Sequence, residues 1–305
     1  MEPESKSRRR RIWRRVILGF TAFVVVGFGL FVLNGAFLAN GEQPTGGQVD
    51  GKASPRKKGN EIKVFAWNIA KCFMHNGGLS FVSTADVKSR LAEMARLIRG
   101  EDPDLVFLSE VVTECTLCNV DQVQYLARET GMTHWAFGEN FNYGMPFLRI
   151  VGGNAILSKA PLQPVANPDL AGRRSFFFTR NNRRMLWCTA SLGEVEVLLG
   201  AVHTDSFDLE NNHRQTRQIL AYSERRETLL AGDFNAEPQG DSLAAVLRSG
   251  RFSGAIDGPG TFPSDHPDRR IDYVFAPKDW TLIDHRVIPV ETSDHRPVVS
   301  VFRIQ

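Results

Sequence analysis

Polar residues that could bind a metal or move a proton recur at the ends of apolar runs in this chain. Asn68 follows the apolar run Ile62–Trp67, Glu110 follows Leu105–Leu108, His203 closes Val195–Val202, and Asp233-Phe234-Asn235 follows Thr228–Ala231. Asp272 lies inside a further apolar run, and Asp294-His295 immediately precedes the last one. Strand ends are where α/β folds gather ligand sites, and a charged group in an apolar setting requires a partner. Singly, each would read as a turn or cap. Their repetition at successive strand ends points to one shared site.

The residue types suit hydrolysis of a phosphate ester. Such a reaction needs a cation over the phosphate oxygens, a base for the attacking water, and donors for developing charge. A hard ion such as Mg²⁺ (or Mn²⁺) takes oxygen ligands, which Glu110 and the Asn68 carbonyl can supply. Asp233 can accept a proton from water, with Asn235 beside it as a donor. His203 and His295 can flank the phosphate.

These residues need a scaffold of alternating short strands and helices. Val87, Leu91, Met94, Ala95 and Ile98 mark one face of a helix over residues 85–99, broken at Asp102-Pro103. Helices are also expected over 121–130, 209–224 and 241–248, and strands near 150–157, 184–190, 271–275, 281–288 and 297–303. Adjacent strands without intervening helices imply an α/β (α+β) domain with a mixed sheet or two packed sheets.

In this order and spacing, the segments WNI (67–69), LSEV (108–111), GGNAILS (152–158), VHTD (202–205), GDFN (232–235), TFP (261–263), RIDYVF (270–275) and SDHRPV (293–298) resemble the endonuclease/exonuclease/phosphatase superfamily. The resemblance covers nearly all of residues 61–305. It implies a four-layer α/β sandwich, with two packed mixed β-sheets and outer helices. It also implies roles: Asn68 and Glu110 hold the metal, with Asp294 near it through water. Asp233 activates the water and Asn235 holds the phosphate. Asp272 orients His295, His203 is the second phosphate-flanking imidazole, and Asn154 supports Asp233. Substrates in the superfamily include DNA, RNA, sphingomyelin-type lipids and inositol phosphates, so a nuclease-like diesterase and a lipid or inositol-phosphate esterase both stay open. A non-catalytic membrane-tethered binding module of the same fold is the alternative of another class, disfavoured by the intact Glu110, Asp233 and His295. No obligate protein partner is implied.

The N-terminus adds a location. Residues 1–60 hold 11 Lys/Arg against 4 Asp/Glu, leaving 26 against 30 for the remainder, so the basic character belongs to the tail. A mildly acidic folded part weakens any expectation of general nucleic-acid affinity. After the basic segment 1–15, the 24 uncharged residues Val16–Ala39 span about 36 Å as a helix, enough to cross a bilayer. A retained anchor is expected, with the Arg cluster cytoplasmic and the domain outside; a cleaved signal releasing a secreted form, or a domain left cytoplasmic, are the alternatives. Residues 40–60 read as a flexible linker before a catalytic domain at 61–305.

Three local features remain. Arg173, Arg174, Arg180, Arg183 and Arg184, around Phe176–Phe178, suit either a substrate rim or a charged strand edge. The aromatic stretch 140–148 reads as a substrate wall or a core loop. Cys72, Cys115 and Cys118 fall in loops expected to be neighbours; a disulfide is the first reading, and a structural zinc with His75 the second. Cys188 reads as core, and His213, His266 and His285 as surface residues.

Overall fold

The computed structural model describes residues 3–39, 41–50, 59–74, 82–172 and 183–305. A long helix, α1 (Pro3–Val32), continues into a π-helical turn at Leu33–Leu38. Then follow β1 (Thr45–Gln48), β2 (Glu61–Asn68), a short turn at Ala70–Phe73, α2 (Thr84–Glu101), β3 (Leu105–Cys115), α3 (Gln122–Thr130), β4 (His134–Met145), β5 (Leu148–Ser158) and β6 (Gln163–Ala166). The second half holds β7 (Leu186–Leu192), β8 (Val195–His203), α4 (Leu209–Tyr222), β9 (Thr228–Asp233), α5 (Asp241–Arg248), β10 (Phe252–Ser253), β11 (Asp272–Pro277), β12 (Thr281–Val287) and β13 (Val298–Arg303).

The strands form two mixed sheets, ordered β1-β4-β5-β3-β2-β13-β12 and β10-β11-β9-β8-β7-β6. In each sheet one central pair is parallel, β2 with β3 and β8 with β9. Period-two alternation decides the layering. Ile62, Val64 and Ala66 of β2 face Leu199 and Ala201 of β8 and Leu229 and Ala231 of β9 in a core between the sheets. The intervening Phe65 and Trp67 pack with Val87, Leu91 and Ile98 of α2 on the outer side. On the far side, Leu198 and Leu230 pack with Ile219 of α4 and Leu243 and Val246 of α5. Helices, sheet, sheet, helices: the four layers that the family resemblance implies are present.

The helix starts are set locally. Ser83, Asp121 and Asp208 accept the backbone N–H three residues on, satisfying donors at the starts of α2, α3 and α4. Gly131, at φ 70°, ends α3.

Two expectations change. The segment read as a flexible linker contains β1, whose Thr45–Gln48 pairs antiparallel with Phe137–His134 of β4. Its Gly46-Gly47 has little apolar signal because an edge strand can be held by backbone bonds alone. The aromatic stretch 140–148 is not a loop up to Met145. It forms the end of β4 and the β4–β5 hairpin tip, protruding from the sheet.

Among the described residues, one helix is long and apolar enough to cross a membrane, Arg8–Leu38, and its apolar window is unburied.

Candidate active site

Strand register brings the polar residues together. His203, at the end of β8, pairs with Asp233 at the end of parallel β9, and Asp233 pairs across the antiparallel ladder with Asp272 at the start of β11. Parallel strands end side by side, so two residues distant in sequence share one edge. Gly232 permits the close passage of β9 and β8. Its φ is 135°, and a Cβ there would sit 2.2 Å from the Val202 carbonyl oxygen.

Asp233 is the hub. Asn68, at the end of β2, donates its side-chain amide to Asp233 Oδ2 at 3.1 Å, bridging the two sheets. The Asn235 backbone N–H donates to Asp233 Oδ1 at 2.8 Å, which holds Asn235 at the left-handed φ of 44°. Asn235 Nδ2 donates to the Thr204 carbonyl (3.1 Å), and Asn212 of α4 donates to the Phe234 carbonyl (2.8 Å). His203 Nε2 and His295 Nε2 lie 3.7 and 3.8 Å from Asp233 Oδ2. Burial and the adjacent Asp272 carboxylate push Asp233 up to about 7, against the pull of His295 and its hydrogen bonds.

His295 is held by Asp272, whose Oδ2 is 2.9 Å from Nδ1. The Trp67 indole donates to the His295 carbonyl at 2.8 Å, and the Phe262 ring lies 4.8 Å from the imidazole centroid to centroid. Burial alone would lower this histidine. The Asp272 carboxylate and its hydrogen bond, with Asp233 and Asp294, outweigh burial and raise it to about 10. His203 goes the other way: burial and the Arg183 guanidinium push it well below its ordinary value. Arg183 stands 2.9 and 2.7 Å from the two ring nitrogens. The two imidazoles are therefore in opposite states near neutrality, one cationic and one neutral.

Glu110 lies where β3 bulges against β5, between Leu108 and Val111, and has φ 55°. The bulge re-aims its side chain to the shared edge. With 24% of its side chain exposed, against 2% for Asp233, Glu110 marks the open mouth. Burial opposes its ionisation, but His203, Lys71 and Arg183 together hold it at about 2. Lys71 forms an ion pair with Glu110. Four successive residues, Ala70 to Phe73, have φ between 47° and 56°, and this left-handed turn carries Lys71 onto the carboxylate. Burial raises Asp294, whose Oδ1 lies 3.3 Å from the Ser293 hydroxyl; that hydroxyl donates to the Asn68 backbone carbonyl at 2.7 Å.

The donor set fits a hard divalent cation. Glu110 Oε1 and Asp233 Oδ2 each lie 3.7 Å from His203 Nε2, the Asp294 and Glu110 carboxylates are close enough for their charges to interact, and Asn68 turns its amide nitrogen to Asp233 while its Oδ1 accepts from the Ala70 N–H. Two buried oxygens of the site, Asp272 Oδ1 and Asn154 Oδ1, have no hydrogen-bond partner among the described residues, as expected of groups that could meet a ligand or water. Among the described residues, the one group whose ligand atoms all lie within 4.8 Å of one another is Asp233, Asp272 and His295.

Most residues singled out in the sequence meet here, with some corrections. Asn154 donates to the Arg184 and Ala201 carbonyls, at 3.4 Å each, so it braces β8 rather than Asp233. Arg183 sits at the centre of the site, on His203. Arg184 is no substrate rim residue: it is 1% exposed, bonded to the Asn167 carbonyl (2.8 Å) and paired with Asp169 (2.6 Å). Arg173, Arg174 and Arg180 lie outside the described residues, as does His75. Cys72, Cys115 and Cys118 are free buried thiols, not a disulfide. They pack in the core against α2, where Cys72 donates to the Val87 carbonyl and burial pushes its thiol up to about 12. His285 is half-buried rather than a surface residue, and stands 2.9 Å from Ser300 Oγ and 2.7 Å from Arg270. Sequence reasoning missed Lys71, Trp67 and Phe262 as parts of the site. Trp67 and Phe262 lie inside the segments WNI and TFP and could have been found there; Lys71 carries no such signal.

The Endonuclease/Exonuclease/phosphatase family model matches residues 65–295. The chain belongs to this family. It is accordingly a hydrolase of phosphate esters, of a family that generally depends on divalent metals. No curated protein matches the sequence. Among solved structures, an endonuclease/exonuclease/phosphatase from Beutenbergia cavernae is 23% identical, with 80% of this chain and 72% of that one covered at a TM-score of 0.63. TDP2 from D. rerio, in complex with a single-strand DNA product, is 18% identical over 80% of this chain and 99% of that one, with a TM-score of 0.55. A mannosyl-6-phosphatase from Bacteroides thetaiotaomicron is 13% identical over 80% of this chain and 100% of that one, with a TM-score of 0.54. These likenesses concern the fold.

Proposed function

We propose that the chain is a membrane-anchored phosphodiesterase that depends on Mg²⁺ or Mn²⁺, with α1 as the anchor and residues 61–305 as the catalytic domain. The observation that carries this reading is the convergence of Glu110, Asn68, Asp233 and the Asp272–His295 pair on one edge shared by both sheets.

Glu110 and Asn68 would hold the ion, with Asp294 beside them. When bound, the ion neutralises the phosphate oxygens and favours the ionised form of the nearby carboxylates. Asp233, raised to about 7, is poised to take a proton from water near neutral pH. Asn235 donates to a non-bridging oxygen. His295, kept cationic by Asp272, donates to the phosphate as charge builds there. Neutral His203, with Arg183 behind it, flanks the opposite side. Water adds its oxygen to phosphorus, the ester P–O bond breaks, and the leaving alcohol departs with a proton.

The uncharged helix supports an anchor with Arg8–Arg11, Arg14 and Arg15 on the cytoplasmic side and the domain outside. Turnover of an activated phosphodiester, such as bis(p-nitrophenyl) phosphate with Mg²⁺, tests the roles. Glu110→Ala, Asp233→Ala and His295→Ala are each expected to lower it at least about a hundredfold. Activity retained in Asp233→Ala would refute the assignment of the base.

A further inference from the structure

The β4–β5 hairpin tip is apolar where it meets solvent. Phe147 and Leu148 are 65% and 40% exposed, and Leu117 in the adjoining loop is 53% exposed. That loop is fastened to the hairpin by the Thr116 N–H, which donates to the Arg149 carbonyl at 3.0 Å. A cluster of large apolar side chains at a protruding tip calls for an apolar partner.

Register says which way the tip points. β3 runs from Leu105 past Glu110 to Cys115, and β5 returns from Leu148 past Asn154 to Ser158. The hairpin therefore extends beyond the edge of the sheet that carries the site, with Leu148 about 20 Å along β5 from Asn154. The segment after α1 runs antiparallel to β4. Asn34 donates to the Asn142 side chain at 2.8 Å, buried. Next, the Gly41 carbonyl accepts from Asn167 Nδ2 (2.6 Å), which also donates to the Glu139 carbonyl (2.9 Å). Then Thr45 pairs with Phe137 and Gln48 with His134. Following this segment backward from Gln48 into α1 is thus the same as following β4 forward to its tip. The tip, three residues past Asn142, lies about 10 Å further in the direction of the apolar helix.

We propose that the active-site edge faces the bilayer that holds α1, that Phe147 and Leu148, with Leu117, enter its interface, and that the substrate is a phospholipid of that bilayer. This rests on the anchor and the phosphodiesterase chemistry proposed above. An interfacial element buries apolar side chains about 5–10 Å into the headgroup region, which matches the reach of the tip. The docking of Asn34, Gly41 and β1 holds the domain close to the membrane in a fixed orientation, so the site meets lipid headgroups rather than sampling solvent on a long tether. The covalent step is the hydrolysis already described: water supplies oxygen to phosphorus and one headgroup P–O ester bond breaks, with no redox change.

The test uses the full chain, one copy per nanodisc of phosphatidylcholine and phosphatidylglycerol. A fluorophore is placed at Phe147→Cys, at Ile17→Cys in α1, and at Glu194→Cys in the β7–β8 turn at the opposite end of the domain. Nitroxide lipids are expected to quench the first two and not the third. Quenching at Ile17 without quenching at Phe147 overturns the orientation. Absence of quenching at both refutes the anchor and the inference with it. Protection of Phe147 only when two copies share a disc makes the partner a second copy of the chain and overturns the lipid contact. In parallel, Phe147→Asp/Leu148→Asp is expected to lower headgroup release from the disc lipids about tenfold or more, while bis(p-nitrophenyl) phosphate turnover is unchanged. Equal loss on both substrates, or on neither, overturns the interfacial role. Wild-type turnover of the soluble diester without any lipid cleavage overturns the substrate. A wild type inert on both, with Phe147 still quenched, refutes the catalytic reading and with it the substrate, and leaves only the orientation standing.

Discussion

Replacing Asp272 with Asn separates the charge of the Asp272–His295 pair from its shape. The amide retains an oxygen that can accept from His295 Nδ1, at the position now 2.9 Å away, so the ring keeps its place. What disappears is the first-ranked charge that lifts His295 to about 10 against its burial. Without it, the imidazole returns toward its ordinary value near 6.5, or below, moderated by Asp233 and Asp294. At pH 8 a group with its ordinary value near 6.5 is protonated only about 3% of the time, so a step that needs the imidazolium slows about 30-fold. At pH 6 most of that loss is recovered. The assay is the pH profile of kcat/KM for an activated diester from pH 5.5 to 9.5, wild type against Asp272→Asn. An equal loss at every pH would show that Asp272 only positions the ring and would refute the charge argument. Stability carries the same sign. A histidine whose folded pKa is raised contributes stability that is fully present below the unfolded value and is lost as pH rises through about 10. Denaturant unfolding of wild type should therefore weaken between pH 7 and 10, and the Asp272→Asn variant should show a flatter profile in that window.

Lys71→Met removes the ammonium that sits on Glu110. Mn²⁺ binding, followed by calorimetry, is expected to tighten several-fold, because the cation no longer displaces a bound charge; unchanged or weaker affinity would show that Lys71 does not compete. Asn34→Leu leaves the Asn142 oxygen buried without its 2.8 Å donor, and should cost about 1–3 kcal/mol in unfolding experiments; a neutral effect would mean that α1 does not dock there. The buried thiols of Cys72, Cys115, Cys118 and Cys188 should all react with a thiol reagent after unfolding without reductant, and slowly before it. Two thiols missing from the unfolded count would restore the disulfide.

Much of the site was legible because its chemistry is tied to strand ends, and strand ends are visible as the close of an apolar run. Asn68, His203 and Asp233 follow that rule, Asp272 instead opens β11, and the register of β8, β9 and β11 brings His203, Asp233 and Asp272 together. Glu110 was placed just after a strand that in fact continues to Cys115, since a bulge lets the chain re-aim a side chain without ending the pairing. Lys71 was invisible because its position depends on a left-handed turn, which no side-chain pattern announces at Ala70–Phe73. Arg184 misled for a related reason: five arginines near each other in sequence look alike, and only packing shows that one is buried on Asp169.

The sequence by itself determined the alternation of strands and helices, the metal-type donors and the apolar N-terminal helix, because periodicity and residue chemistry are properties of short stretches; the four layers came from the family resemblance. The tertiary structure alone decided the opposite states of His203 and His295, set by which charges stand within a few ångströms of each buried ring. It alone turned the supposed linker into β1 and set Asn34 against Asn142. Backbone pairing at an edge strand and a single amide–amide bond between residues 108 positions apart leave no periodic trace in the chain.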